Sequence, residues 1–280
     1  MSHTAQLIPR LLEAGEPAAT FIVMAAYLKR GHNWPVREMR DYLAARIVFG
    51  VWTLALAYGP GLFAAHRSQW AWIPVCGYWL GYFILMGFLY RVAGAALRDL
   101  LRPLPALLRL GQTGYRWIVA AGLLLAIPGA IRVVMSFPSR QFTLALFHFK
   151  GSIAAAQLLP VGFVTAIAFR LGFRLRSRMG ALLVGLCLEP AAGTITSWFH
   201  LAGTWGWTNL AQETATYAAL LLWAIYAFLP DEEPPQVQRS DTLRMWEQIA
   251  GRALTQPLIV HRPGTKSPDS ANAGKTKRAS

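Results

Sequence analysis

The chain has 280 residues, 55% of them apolar and only 14% charged. An ordinary soluble domain carries about a quarter charged residues, so this one has too few charges to cover a soluble surface of its size. The net charge of +14 does not mark a nucleic-acid binder, because the basic residues flank apolar runs, as topology-setting charges do. The expected partner is the lipid bilayer, with no nucleic acid.

In chain order, the first candidate span covers residues 7–28. Pro17–Leu28 is apolar but only about half as long as a hydrocarbon core of roughly 30 Å requires. Extending it back to Leu7 brings in Arg10, Glu13 and Glu16, which share a helix face by their three-residue spacing. Either these charges face the bundle interior or the segment does not cross. Residues 1–17 lack the apolar h-region of a cleavable signal peptide. The second candidate, 42–60, has a short apolar run and contains Arg46, which is expected to snorkel to an interface. Clear runs follow at 70–90, 117–137, 151–169, 179–199 and 208–229, each about as long as a crossing needs. Between the third and fourth runs, Gly94–Gly111 is expected to be a cytoplasmic interfacial segment. Its Leu97, Leu100, Leu101, Leu104, Leu107 and Leu108 would meet lipid and Arg98, Arg102 and Arg109 would meet phosphates, with Pro103 and Pro105 breaking it.

Residues 231–280 form a tail. It opens with the acidic, Pro-rich run Asp231–Pro235, continues in a short amphipathic helix at about 241–254, and ends in a Pro-, Gly-, Ser- and Lys-rich stretch of disordered composition. The tail helix, centred on Trp246, either docks a cytoplasmic protein partner or lies on the membrane with Arg244 and Arg252 near anionic lipid. The chain has no internal repeat, so inverted-repeat transporter folds gain no support.

The loops give a direction. Loop 29–41 holds Lys29, Arg30, Arg37 and Arg40. Loop 91–116 holds Arg91, Arg98, Arg102, Arg109 and Arg116, and loop 170–178 holds Arg170, Arg174, Arg176 and Arg178. The alternate loops carry Arg67, then Arg140 and Lys150, then no basic residue at 200–207. By the positive-inside rule the rich loops and the tail are cytoplasmic. The fold class is therefore an all-α polytopic transmembrane helix bundle of seven spans, N-terminus out and C-terminus in.

Soluble-enzyme signatures are missing: no GxxxxGK[ST], HExxH, CxxC or GxSxG spacing occurs, and neither a cofactor nor a metal is expected. Cys76 and Cys187 lie in apolar runs and read as small buried residues. Gly77 and Gly81 form a GxxxG that packs helices inside the bundle or joins two copies. Pro74, Pro128 and Pro160 are expected to kink their spans.

Glu189 stands near mid-membrane, before Pro190. An unpaired carboxylate there is expensive, so it must be protonated or paired. It is either a proton- or ligand-coupled group or a hydrogen-bonded acid at a proline kink. Other polar residues collect toward the outer half: Glu13 and Glu16, Arg132, His148, Lys150, Gln157, His200, Gln212 and Glu213. They could line one outward-facing cavity for a small-molecule ligand, or serve as snorkelling rim residues and ties between helices.

The stretches Leu101–Gly111 (LRPLPALLRLG), Phe169–Arg178 (FRLGFRLRSR) and the helix Leu243–Leu254 resemble a group of uncharacterised bacterial seven-helix integral membrane proteins. In that group an acidic residue often begins the fifth span, where this chain has Lys150, and a glutamine stands where Gln157 does. The resemblance implies a multi-pass topology in a bacterial cytoplasmic (inner) membrane and supplies no activity. Two function classes are expected from the residues. One is a sensor or accessory membrane protein with an outward polar cavity, and the other is a proton- or solute-coupled transporter using Glu189. A membrane enzyme comes last, because Asp99 and His66 fall on opposite sides.

Overall fold

A computed structural model describes residues 3–29, 36–58, 72–136, 142–173, 177–201, 205–228 and 241–255. Readings at His66, Arg67, Arg140, the acidic run at 231–235 and the chain beyond residue 255 lie outside the described residues. What is described is all-helical: α1 (His3–Lys29), α2 (Val36–Tyr58), α3 (Trp72–Leu100), α4 (Pro105–Ser136), α5 (Phe142–Arg170), α6 (Arg178–Leu201), α7 (Trp205–Phe228) and α8 (Asp241–Thr255).

Four of these helices are long and apolar enough to cross a membrane, over Gly77–Leu100, Pro105–Val133, His148–Arg170 and Arg178–Phe199. Helices α1, α2 and α7 have 27, 23 and 24 residues, and of these α1 and α2 are the less apolar. All seven expose large apolar side chains: Phe21 and Ile22 on α1, Val48 and Val51 on α2, Leu80 and Ile84 on α3, Leu124 and Met135 on α4, Leu159 and Phe169 on α5, Ile195 and Trp198 on α6, Leu221 and Phe228 on α7. A soluble monomer does not carry such a belt, whereas lipid solvates it.

Local chemistry sets several helix ends. Ser177 caps α6, its hydroxyl accepting from the Gly180 amide at 3.1 Å, a standard solution for an orphan N-terminal donor. Helix α5 ends on Gly172 at φ 84°. There the Phe173 amide donates to the Ala168 carbonyl at 3.1 Å and the Gly172 amide to the Phe169 carbonyl at 3.0 Å, the paired bonds of a Schellman cap, for which glycine tolerates the left-handed backbone.

The expected interfacial segment at Gly94–Gly111 is corrected. Helix α3 runs on to Leu100, and after one turn Pro105 starts α4 at the first helical position, where its missing N–H is no loss. Val92, Ala93, Ala96, Leu97 and Leu100 follow helical spacing in phase with α3 and are buried in the protein core, as are Leu101 and Leu104. Pro74 falls in the first turn of α3, where no intrahelical bond is lost, while Pro128, Pro160 and Pro190 lie inside α4, α5 and α6.

Helices α1, α2, α3, α5, α6 and α7 pack in succession and α1 closes onto α7, with α4 outside against α3 and α5. Small residues allow the close approaches. A side chain at Gly81 would meet Phe49 at 2.7 Å and one at Gly77 would meet Trp52 at 3.0 Å, so the GxxxG seats α3 on α2 within the chain. A side chain at Gly122 would meet the Ala156 carbonyl at 2.9 Å, and one at Gly151 would meet Ser197 at 2.8 Å.

The main core occupies one end of the bundle. It takes Val23–Tyr27 from the second half of α1, Met39–Leu43 from the first half of α2, Leu85–Leu100 from α3, Val161–Ala168 from α5, Met179–Leu186 from α6 and Ala219–Ala227 from α7. Odd helices contribute their second halves and even helices their first, the pattern of helices that alternate in direction. At the other end the buried set is smaller, Met86, Ala126, Phe149 and Ile153, and most of the buried polar side chains among the described residues, Thr196, Ser197, Thr208 and Thr216 with Gln157 at mid-helix, lie toward that end.

Candidate functional site

Where the packed end gives way to the polar end, three charged side chains from three helices meet. Arg46, near the middle of α2, is only 3% exposed. Its Nε and Nη2 both donate to Glu16 Oε1 of α1, at 2.9 and 2.7 Å. Its Nη1 donates to the Tyr42 hydroxyl at 3.2 Å and to Glu189 Oε2 of α6. The expectation that Arg46 snorkels is overturned: two carboxylates at its own depth satisfy the guanidinium, so it need not reach an interface. Snorkelling would also leave both acids uncompensated, which is the costlier arrangement.

The carboxylates differ from the arginine in one respect. Glu16 is 23% and Glu189 26% exposed, so each keeps contact with space outside the protein. One guanidinium facing two carboxylates leaves the cluster one negative charge in excess if both acids are ionised. Glu16 Oε2 and Glu189 Oε1, which the arginine does not use, are the atoms available to a proton or a ligand. The backbone around Glu16 is fixed as well, since the fully buried Thr20 hydroxyl donates to the Glu16 carbonyl at 2.8 Å.

The cluster stands on a rigid floor. The Tyr42 ring meets Trp223 of α7 edge-on, with centroids 6.1 Å apart. Trp223 donates from Nε1 to the Leu182 carbonyl at 3.3 Å and lies against Gly185, where a side chain would fall 2.7 Å from Cε2. On the other side is a wall of rings from α2, α3 and α5: Phe49 lies 5.6 Å from Tyr78 and 6.0 Å from Tyr82, and Trp79 lies 4.5 Å from Phe149.

The remaining expected residues are placed as follows. Lys150, at the polar end of α5, donates to Gln212 Oε1 of α7 at 2.9 Å, a tie between helices. His148 is half-buried, with its carbonyl accepting from Ser152 at 2.9 Å. Gln157 is buried on α5, and Glu213 is half-buried one residue after Gln212. Arg132 is exposed on α4, a helix that packs against α3, α5 and α8 rather than against the helices of the cluster. The side chains of Glu13, His200 and Cys76 lie outside the described residues. Cys187 is a free thiol, 3.4 Å from the Thr165 hydroxyl. Among the described residues no three His, Cys, Asp or Glu side chains are grouped to hold a metal.

Sequence reasoning singled out Glu189 and gathered Glu16 with the outer residues, but missed Arg46 and Tyr42. The available signal was depth, since Glu16, Arg46 and Glu189 each stand near the middle of their helices. No protein-family model matches the chain, and neither a curated protein nor a solved structure is similar to it.

Proposed function

We propose that this is a seven-span membrane protein, N-terminus outside and C-terminus in the cytoplasm. It acts as a sensor or accessory protein that receives a small ligand in its polar half, at the Glu16–Arg46–Glu189 cluster. The single observation that carries this reading is the position of that cluster. It caps a closed apolar floor, while its two carboxylates stay about a quarter exposed. A site with one open side suits reception better than passage. Support for seven crossings comes from the apolar belt on α1 through α7. Support for the direction comes from the basic residues Lys29, Arg37, Arg98, Arg109, Arg170 and Arg178, which all fall at the packed end of their helices, and from Arg102 in the turn between α3 and α4. That end then offers a basic surface to a cytoplasmic protein partner, and the membrane is the bacterial inner membrane.

A second reading is a proton- or solute-coupled transporter. The excess negative charge on the cluster favours it, because one carboxylate can gain and lose a proton while Arg46 holds the other. Flux separates the two readings. Purified protein in sealed liposomes is expected to carry neither protons nor solutes down an imposed gradient. A flux that disappears in Glu189→Gln would replace the sensor reading with the transporter. Crosslinking from the basic loops in cells is expected to capture a cytoplasmic protein, and capture of lipid alone would remove the output that a sensor needs.

A further inference from the structure

The tail helix α8 packs on α4, and its Glu247 side chain ties it to a defined place there. Its Glu247 carboxylate accepts from the Ala106 amide at 2.7 Å and the Leu107 amide at 2.9 Å. These are the second and third positions of α4, the orphan donors that follow Pro105. A carboxylate there also meets the positive end of the helix dipole. Because α4 begins its apolar stretch at Pro105, this bond fixes α8 at the height where that stretch starts.

At about 100° per residue, α8 divides into three sectors. Glu247, Ala250 and Gly251 form one; Ala250 is buried and α8 packs on α4. Arg244, Gln248 and Arg252 form a second, which is exposed and polar. Met245, Trp246, Ile249 and Ala253 form a third, also exposed, with Trp246 at 52%. A helix resting on its own protein in water needs only the first two. The third is an apolar stripe between the protein-facing and water-facing sectors, and a Trp leads it, the residue most favoured at a membrane interface. The surroundings are net cationic, since Arg98, Arg102 and Arg109 are exposed beside the adjoining ends of α3 and α4 against one exposed acid there, Asp99.

We infer that α8 is a membrane-surface helix whose Met245–Trp246–Ile249 stripe inserts at the boundary of an anionic bilayer, with Arg244 and Arg252 pairing with lipid phosphates. Glu247 holds it in register with α4. The charge match selects the occupant, because a cationic rim around an apolar stripe at span height complements acidic headgroups above acyl chains. The side of the membrane on which this happens rests on the proposed topology, but the lipid contact itself does not.

The test uses the full chain carrying Cys76→Ala and Cys187→Ala, with one fluorophore on Trp246→Cys or Gln248→Cys. Each protein is reconstituted in bilayers of phosphatidylcholine alone or mixed with phosphatidylglycerol. A quencher carried on the acyl chains is expected to quench position 246 and not 248, while aqueous iodide quenches 248 and not 246. The phosphatidylglycerol-dependent part of the signal is expected to be lost in Arg244→Gln/Arg252→Gln and in high salt. Equal iodide quenching at 246 and 248 in both bilayers would overturn the inference. So would a position 246 shielded from both quenchers, which would mean that protein or a second copy covers the stripe. An impermeant reagent reaching 248 from outside intact cells would refute the direction while leaving the lipid contact standing.

Discussion

The two ends of the bundle are built on different physics. The packed end joins halves of α1, α2, α3, α5, α6 and α7 through side chains such as Leu43, Leu97, Val164, Leu183 and Trp223, all almost fully buried. The other end has a smaller apolar set, Met86, Ala126, Phe149 and Ile153, and adds polar ties, Lys150 of α5 to Gln212 of α7 at 2.9 Å and the Tyr217 hydroxyl of α7 to the Leu12 carbonyl of α1 at 2.6 Å. Interdigitated apolar side chains leave no path and resist rearrangement. Polar ties between helices in a membrane contribute only about 0.6–2 kcal/mol each and can be exchanged for ties to a ligand. One end is therefore suited to stay closed and the other to respond, and the charge cluster lies where they meet.

The largest effect is expected from breaking that junction. Arg46→Leu leaves two carboxylates in mid-bundle without a counter-charge, which costs about 3–5 kcal/mol when a buried pair loses one partner. Thermal unfolding in detergent reads it, and Arg46→Lys is expected to recover only part because an ammonium cannot bond both acids and Tyr42 in the same geometry. An unchanged midpoint would remove the cluster from the account of stability.

Next comes the floor. Gly185→Leu forces a side chain into the Trp223 ring and is expected to cost about 1–3 kcal/mol, as overpacking does. By contrast Thr214→Ala, at an exposed position of α7 in the polar end, is expected to change stability by less than about 0.5 kcal/mol. Comparable losses at both positions would erase the distinction between the ends. A smaller effect is expected from Glu247→Ala, which removes a cap from α4 at about 1 kcal/mol. Hydrogen exchange should then quicken at Ala106 and Leu107 and in α8, leaving Leu182–Leu186 protected. Loss of protection across the whole core would mean that α8 belongs to the main cooperative unit.

The helices were legible because lipid imposes a simple rule on sequence. Runs such as Gly151–Phe169 and Met179–Phe199 need nothing beyond hydropathy, and α5 and α6 include them. The ends were less legible. Arg91 and Arg98 looked like the limit of a span, but they occupy the outer face of an α3 whose inner face continues to Leu100. Apolar periodicity, rather than the presence of charge, carried that information. At the site, the depth of Glu189 was readable from its position in one segment. Its pairing was not, because Arg46 lies 143 positions away from Glu189 and 30 from Glu16, and no local pattern encodes which helices are neighbours. The same holds for Glu247 and the first turn of α4, 140 positions apart, although the exposed amides after Pro105 left donors for some acceptor to fill.

On the proposed topology the Glu16–Arg46–Glu189 cluster is reached from the outside through the polar end and shut off from the cytoplasm by the packed end. Single cysteines can be placed at Gln212 in the polar end, at Glu16 in the cluster and at Ala219 in the floor, on a background carrying Cys76→Ala and Cys187→Ala. Each can be probed in intact cells and in inside-out vesicles with a membrane-impermeant maleimide. The expected result is labelling of positions 212 and 16 from outside only, with 219 silent from both sides. Labelling of position 16 from the cytoplasmic face, or of 219 as fast as 212, would contradict it.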